Sequence, residues 1–216
     1  MKVKRTDART EELLDLSSQI WNKAPRATVV LSPTPAEMQP TEYVRVSWKG
    51  RPYGKASSMQ VRALHNGAEI FFRLQWNDES PDGKIADIDQ FADAAAVLFP
   101  LVEDAPLIGM GAKGKPVNAW LWRADWERPQ NVAAQGMGTT ERRDAQALAA
   151  TARHARGRWD VVVARPLNSD GSPAGTVSLT PGTASKVAFA VWQGGNQERA
   201  GIKAFSPDWQ DLQIEA

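Results

Sequence analysis

The sequence predicts a mainly β protein, an antiparallel β-sandwich with a few short helices, on three observations. Apolar residues recur mostly at every second position, the segments so marked are short and separated by Gly, Pro, Asn and Asp, and strand and helix do not alternate regularly along the chain. A period of two marks a strand with one face buried, and a parallel sheet would need intervening helices.

TEELLDLSS near the start reads as a short helix, and EYVRVSW, with Val44, Val46 and Trp48 alternating with polar residues, as a strand. VRALHNGAEIFFRLQW reads as a hairpin. Its Asn66-Gly67 supplies the left-handed two-residue turn that hairpins favour, and Ile70, Phe72, Leu74 and Trp76 face the core. DIDQFADAAAVLF reads as a second helix, capped by Asp87 or Asp89, with Asp93 as a charge near its start and Pro100 ending it. VNAWLWRADW, RWDVVVARPL, GTVSLTPG, SKVAFAVW and DLQIE supply further strands. Leu148 to Arg156 is ambiguous, its alanines favouring helix while Arg156-Gly157 before RWDVVV fits a hairpin, and the hairpin is preferred; residues 127–146 show no clear period, and NSDGSPAG is a loop. No repeat and no Pro/Ser-rich linker divides the chain, which reads as one domain over residues 1–216.

The chain of 216 residues is 42% hydrophobic, enough for a sizeable core. With 26 Lys+Arg against 25 Asp+Glu the net charge is +1, so no bulk field points to nucleic acid or to an anionic membrane. Cysteine is absent, which excludes disulfides, covalent c-type haem, cysteine-held iron–sulfur clusters and thiol nucleophiles. The two histidines, His65 beside the turn and read as exposed, and His154, are too few for a three-histidine zinc site and are given no role. The opening has no apolar stretch of signal-peptide length, and nothing approaches the ~20 apolar residues of a membrane span. The reading is of a soluble chain that a partner could carry across a membrane.

IGMGAKGKPVNAWLWRADW, Ile108 to Trp126, sets Met110 between Gly109 and Gly111 and runs into three tryptophans. Trp120 and Trp122 share a face, either as core or as a flat platform for a sugar or a macrocycle. A methionine is commonly a core gap-filler, yet a core position needs no glycine on either side. The flanking glycines fit a thioether presented to a partner, but a second triplet, Gly136-Met137-Gly138, weakens that reading, since both also fit flexible loops. In AVWQGGNQERAGIKAFSPDW, Gly194-Gly195-Asn196 turns the chain, and Arg199 and Lys203 read locally as solvated loop residues. Neither glycine-rich stretch has the spacing of a phosphate-binding loop.

MGAKGKPVNAWLWRADW followed later by KVAFAVWQGGNQERAGIKAFS resembles the haem b, or gamma, subunits of ethylbenzene dehydrogenase and related molybdenum enzymes of the dimethyl sulfoxide reductase class. LLDLSSQIWNKAP, VRALHNGAEIFFRLQW and FADAAAVLFP extend the resemblance over nearly the whole chain. It implies an immunoglobulin-like sandwich, related to carbohydrate-binding family 9 and DOMON folds, that holds one non-covalent haem b between a methionine and a lysine. The family's motifs place these ligands at Met110, rather than Met137, and at Lys203. Ile202 stands where some relatives are basic. Gly109, Gly111, Asn118 and Trp120 are then expected around the cofactor, with Lys113, Lys115 and Arg199 as candidates for its carboxylates or edge.

The resemblance implies electron transfer rather than catalysis in this chain. Electrons would come from iron–sulfur clusters of a beta subunit, reduced by a molybdenum-cofactor alpha subunit, in a heterotrimer that delivers them to an external acceptor such as cytochrome c. It implies a periplasmic complex exported on the alpha subunit's signal, and hydroxylation of a hydrocarbon or steroid side chain, as in ethylbenzene and steroid C25 dehydrogenases. The rival readings are a carbohydrate-binding module using Trp120 and Trp122 as its platform, and a purely structural sandwich.

Overall fold

The computed structural model describes residues 1–84, 90–143, 148–167 and 175–216, and among them most of the period-two segments are strands, fourteen strands in all. In chain order they are β1 (Lys2–Arg5), β2 (Ala27–Val30), β3 (Ser32–Pro33), β4 (Ser58–His65), β5 (Glu69–Asn77), β6 (Ala94–Pro100) and β7 (Val117–Arg123). They continue with β8 (Gln130–Ala134), β9 (Glu141–Arg143), β10 (Ala149–His154), β11 (Arg158–Pro166), β12 (Ala184–Trp192), β13 (Ala204–Phe205) and β14 (Gln210–Ile214). Two short α-helices accompany them, α1 (Thr10–Leu14) and α2 (Glu42–Ser47).

Eleven of the strands follow one path, β10-β11-β5-β4-β1-β14-β12-β6-β7-β8-β9, folded into two layers by β12, while β2 pairs with β4 and β13 joins β12 to β3. Ala184 to Val187 of β12 pair with β14 in the first layer, and Ala188 to Trp192 pair with β6 in the second. Most pairings are antiparallel; β1 runs parallel to both β4 and β14. Between the layers lies the main core. Phe72, Trp76, Val161 and Val163 from one side meet Val97, Phe99, Trp120, Trp122 and Phe189 from the other. Phe72 packs edge-on against Phe99, Trp120 and Phe189 at centroid distances of 5.9, 5.9 and 6.4 Å. Such offset aromatic pairs add to the burial of large apolar surface.

Each layer also buries part of its outer face. Outside the first layer, α1 and the following turn set Leu13, Leu16 and Trp21 on Phe71, Val162 and Ala164. Outside the second layer, Ala96, Leu98, Ala119, Val132, Ala188 and Ala190 are covered by Leu107 and Phe205. This second outer face holds the candidate site.

The Asn66-Gly67 and Arg156-Gly157 hairpins form where expected, with Gly67 and Gly157 at φ of 89° and 68°. Two segments differ. EYVRVSW is helix α2, because the Thr41 side chain accepts the Val44 N–H and caps it, while Tyr43 and Val46 are exposed rather than buried. DAAAVLF is strand β6, since its backbone is claimed on both sides by β12 and β7, which overrides the helix preference of its alanines. The proposed caps Asp87 and Asp89 lie outside the described residues, as does most of NSDGSPAG. Val177 to Thr180 of GTVSLTPG form no strand.

Asp93 is not a helix-start charge. It is fully buried and accepts the Trp159 Nε1–H (2.8 Å), the Gly194 N–H (2.7 Å) and the Asp82 N–H (2.8 Å). His65 is buried rather than exposed, because β4 is flanked there by both β1 and β5. Among the described residues no helix is long and apolar enough to cross a membrane.

Candidate functional site

Strand alternation puts Ala95, Val97, Phe99, Trp120, Trp122, Phe189 and Val191 into the core, so their neighbours must face out. Those neighbours are Ala94, Ala96 and Leu98 of β6, Ala119 and Leu121 of β7, and Ala190 and Trp192 of β12. The register sets Ala190 opposite Ala96 and Ala96 opposite Leu121. A row of small residues across three adjacent strands leaves a flat recess, and loops wall it into a cavity of about 450 Å³. Such a volume, mostly apolar with few polar groups, suits a bound organic ligand.

The loop between β6 and β7 brings Met110 to this cavity. Its backbone is left-handed, with φ of 57° at Met110 and 83° at Gly111, and a methionine takes that conformation at an energetic cost. A Cβ on Gly111 would come within 2.6 Å of Lys115 O and 2.9 Å of Ala134 O, so only glycine fits beneath the methionine. The Met110 N–H donates to Leu107 O (2.9 Å), and Met110 O accepts the Gly136 N–H (3.0 Å). The second Gly-Met-Gly triplet is thus tied to the first, and Met137 stands 40% exposed on the cavity wall.

Lys203 reaches the cavity from the loop between β12 and β13. It is only 7% exposed, and its amine makes no hydrogen bond or ion pair among the described residues. Its Nζ lies 5.3 Å from the centre of the Trp192 ring. Burial pushes its pKa down to about 8, since an ammonium loses hydration there and gains no anion. Thr34 N–H donates to Lys203 O (3.0 Å), and Gln39 Nε2 to Gly201 O (3.0 Å), holding the loop from the side. Gln197 and Ala200 are left-handed at φ of 61° and 49°. Three of the four non-glycine residues with positive φ among the described residues therefore lie at Met110 or just before Lys203.

The remaining expected residues divide. Gly109 and Gly111 shape the Met110 loop. Asn118 and Trp120 sit on the inner face of β7, away from the cavity. Asn118 Nδ2 donates to Asn131 Oδ1 (2.7 Å) and Val132 O (2.8 Å), while Trp120 is fully buried with its ring 4.7 Å from that of Phe99. Trp122 is likewise 6% exposed, so neither tryptophan forms a surface platform. Lys113 and Lys115 are exposed and line no wall; Lys115 pairs with Asp104. Arg199 does line the cavity, its guanidinium 4.2 Å over Phe91 and without an ion pair among the described residues.

The family model described as ethylbenzene dehydrogenase matches residues 18–147 and 137–204. The chain belongs to the ethylbenzene dehydrogenase family. Among curated relatives in this family's range, it is 33% identical to a protein of Haloferax mediterranei named as a respiratory nitrate reductase heme subunit, over 89% of this chain and 65% of that protein. It is 33% identical to the chlorate reductase gamma subunit of Ideonella dechloratans, over 90% of this chain and 77% of the relative. The dimethylsulfide dehydrogenase gamma subunit of Rhodovulum sulfidophilum is 30% identical, over 88% and 71%. In fold, the family member described here is similar to a carbohydrate binding module family 9 from Caldicellulosiruptor kristjanssonii, solved with glucose (TM-score 0.52, 9% identity, 100% and 95% covered). It is also similar to a carbohydrate-binding protein structure from Bacteroides uniformis (TM-score 0.56, 14% identity, 100% and 98% covered). These likenesses establish the β-sandwich.

Several wall residues were not singled out from the sequence: Met38, Arg123, Trp192, Glu198 and the alanine floor. The alanines had a readable signal, Ala94 and Ala96 at alternate positions of β6, Ala119 beside Trp120 of β7, and Ala188 and Ala190 on either side of Phe189 of β12.

Proposed function

We propose that this chain is a gamma-type subunit that binds one non-covalent haem b between Met110 and Lys203 and relays electrons. The cavity carries the reading. One wall bears a thioether on a backbone forced left-handed, another bears a lysine without a polar partner, and the floor between them is flat and apolar. A sugar site accounts for neither residue, and the tryptophans it would need are in the core. The names of the relatives, two gamma subunits and one heme subunit, support the same role.

When bound, the haem supplies a one-electron Fe(III)/Fe(II) couple. Met110 offers a soft, neutral ligand that favours the reduced state relative to an all-imidazole site. Lys203 binds a metal only as the free amine, and its burial already moves the proton toward release. Ala94, Ala96, Ala119 and Ala190 form the flat apolar floor that would seat the macrocycle and exclude water. Arg123 and Arg199 are the cationic side chains on the wall besides Lys203, and carboxylates of the ligand would meet them. Met110 and Lys203 would together hold the group, and a group held by two protein ligands would be suited to electron transfer rather than to binding oxygen or substrate.

The wider reading is a heterotrimer with an iron–sulfur beta subunit and a molybdenum alpha subunit, exported to the periplasm on the alpha subunit's signal, with an acceptor such as cytochrome c. We further propose a hydroxylase of the ethylbenzene or steroid C25 kind as the enzyme served. The test is a visible spectrum of the purified complex, oxidised and dithionite-reduced, with a pyridine haemochrome assay. A sharp b-type α band that Met110→Ala broadens or shifts is expected. A featureless spectrum from protein made with ample haem overturns the reading.

A further inference from the structure

Resting on the haem reading, we propose that Glu198 is the positioning residue for Lys203, a carboxylate staple that aims the amine into the cavity. The 3-10 turn at Gly194–Asn196 follows β12 and leads toward Lys203. Three successive backbone N–H groups at its start donate to three different carboxylates. Gln193 N–H goes to Glu198 Oε2 (3.0 Å), Gly194 N–H to Asp93 Oδ1 (2.7 Å) and Gly195 N–H to Asp82 Oδ2 (3.0 Å). Asp82 and Asp93 come from before β6. Glu198 alone of the three belongs to the loop itself, five residues before Lys203.

Its other oxygen binds a separate stretch of chain. Glu198 Oε1 accepts the N–H groups of Gly54 (2.8 Å) and Lys55 (3.1 Å) and the Asn196 Nδ2–H (2.9 Å). The side chain is 1% exposed, and four donors satisfy both of its oxygens without any cation. Charge-assisted bonds of this kind are stronger than neutral ones, more so away from water.

The loop 198–203 is thereby pinned at both ends. Glu198 fixes the first, while Thr34, Gln39 and the β13 pairing fix the second. Between them Ala200 is held left-handed, and its carbonyl accepts the Trp192 Nε1–H (3.0 Å). An alanine in that conformation relaxes when its restraint is lost. Freeing the Glu198 end lets the loop relax and carries Lys203 away from the direction its ligand role needs. Glutamine at 198 keeps the shape but presents an –NH₂ toward a donor that now has an acceptor.

The test is a double-mutant cycle on the haem-loaded complex, read by carbon monoxide uptake of the reduced form and by the low-spin spectrum. Wild type is expected to resist carbon monoxide, and Lys203→Ala to bind it. Glu198→Gln should lower the half-saturating concentration about tenfold or more from wild type, the effect of losing a charge-assisted bond. In the Lys203→Ala background Glu198→Gln should change nothing further, because the staple then has no amine to aim. Asn196→Ala removes one donor, leaves the carboxylate in place, and should shift uptake the same way by less; it serves should Glu198→Gln not fold. Wild-type carbon monoxide behaviour in both variants overturns the proposal, as does an equal shift with and without Lys203. A wild-type complex with no Soret band overturns the haem reading itself, and with it this one.

Discussion

A lysine amine without an anionic neighbour in an apolar cavity destabilises the fold that contains it. The Lys203 pKa falls from 10.5 to about 8 on folding, so the unfolded chain holds a proton that the folded chain gives up between those values. The penalty is present in full below about pH 8 and is relieved as pH rises toward 10.5. Lys203→Met should therefore stabilise the haem-free chain near neutrality by about 2–3 kcal/mol, and should abolish a rise in stability above pH 8 that wild type shows in urea unfolding. A less stable Lys203→Met chain would contradict this account. Asp78 has the opposite sign. Burial, with the nearby Asp93 charge, lifts its pKa to about 7, so its contribution is complete below pH 3.8 and is lost as pH rises through 7. Asp78→Asn should flatten the decline in stability over that window, checked by thermal melts between pH 4 and pH 8.

At the level of elements, β6 shows where reading the sequence stops. DAAAVLF reads as helix because alanine is the best helix former, yet the run is strand because β7 and β12 pair with it on both sides. The alanines are small for a reason that lies outside their own segment, the space needed above Ala96 and Ala190. In EYVRVSW the alternation was real but marked no buried face. The Asn66-Gly67 hairpin, by contrast, was legible from two residues, since that turn is local in origin; at Arg156-Gly157 the preceding alanines left a helix as the alternative. Met110 and Lys203 line one cavity; local sequence offered a glycine-flanked thioether for the first and a solvated loop residue for the second, and only the order and spacing of motifs across the chain paired them. Enlarging the floor tests its role directly. Ala96→Phe should abolish haem occupancy while the apo protein keeps its far-UV circular dichroism; retained stoichiometric haem would remove the floor from the site.

Across the whole molecule, the core and the cavity occupy opposite faces of the same three strands. Phe72, fully buried among Phe99, Trp120 and Phe189, belongs to the first, and Phe72→Ala should cost about 3–5 kcal/mol whether or not haem is present. The haem-free chain should unfold cooperatively with its near-ultraviolet tryptophan signal intact, because Trp76, Trp120, Trp122 and Trp159 all lie in the core between the layers. Loss of that signal on haem removal would show that the cofactor shapes the core.

The division by face bears on how such a protein can change over time. Residues that point inward answer to folding, and those that point outward to chemistry, with β12 as the strand common to both layers. A lineage could exchange one ligand for another on the outer surface of an unchanged sandwich, by replacing side chains at alternate positions and rebuilding two loops. Such a separation leaves the sandwich itself indifferent to what its outer surface carries.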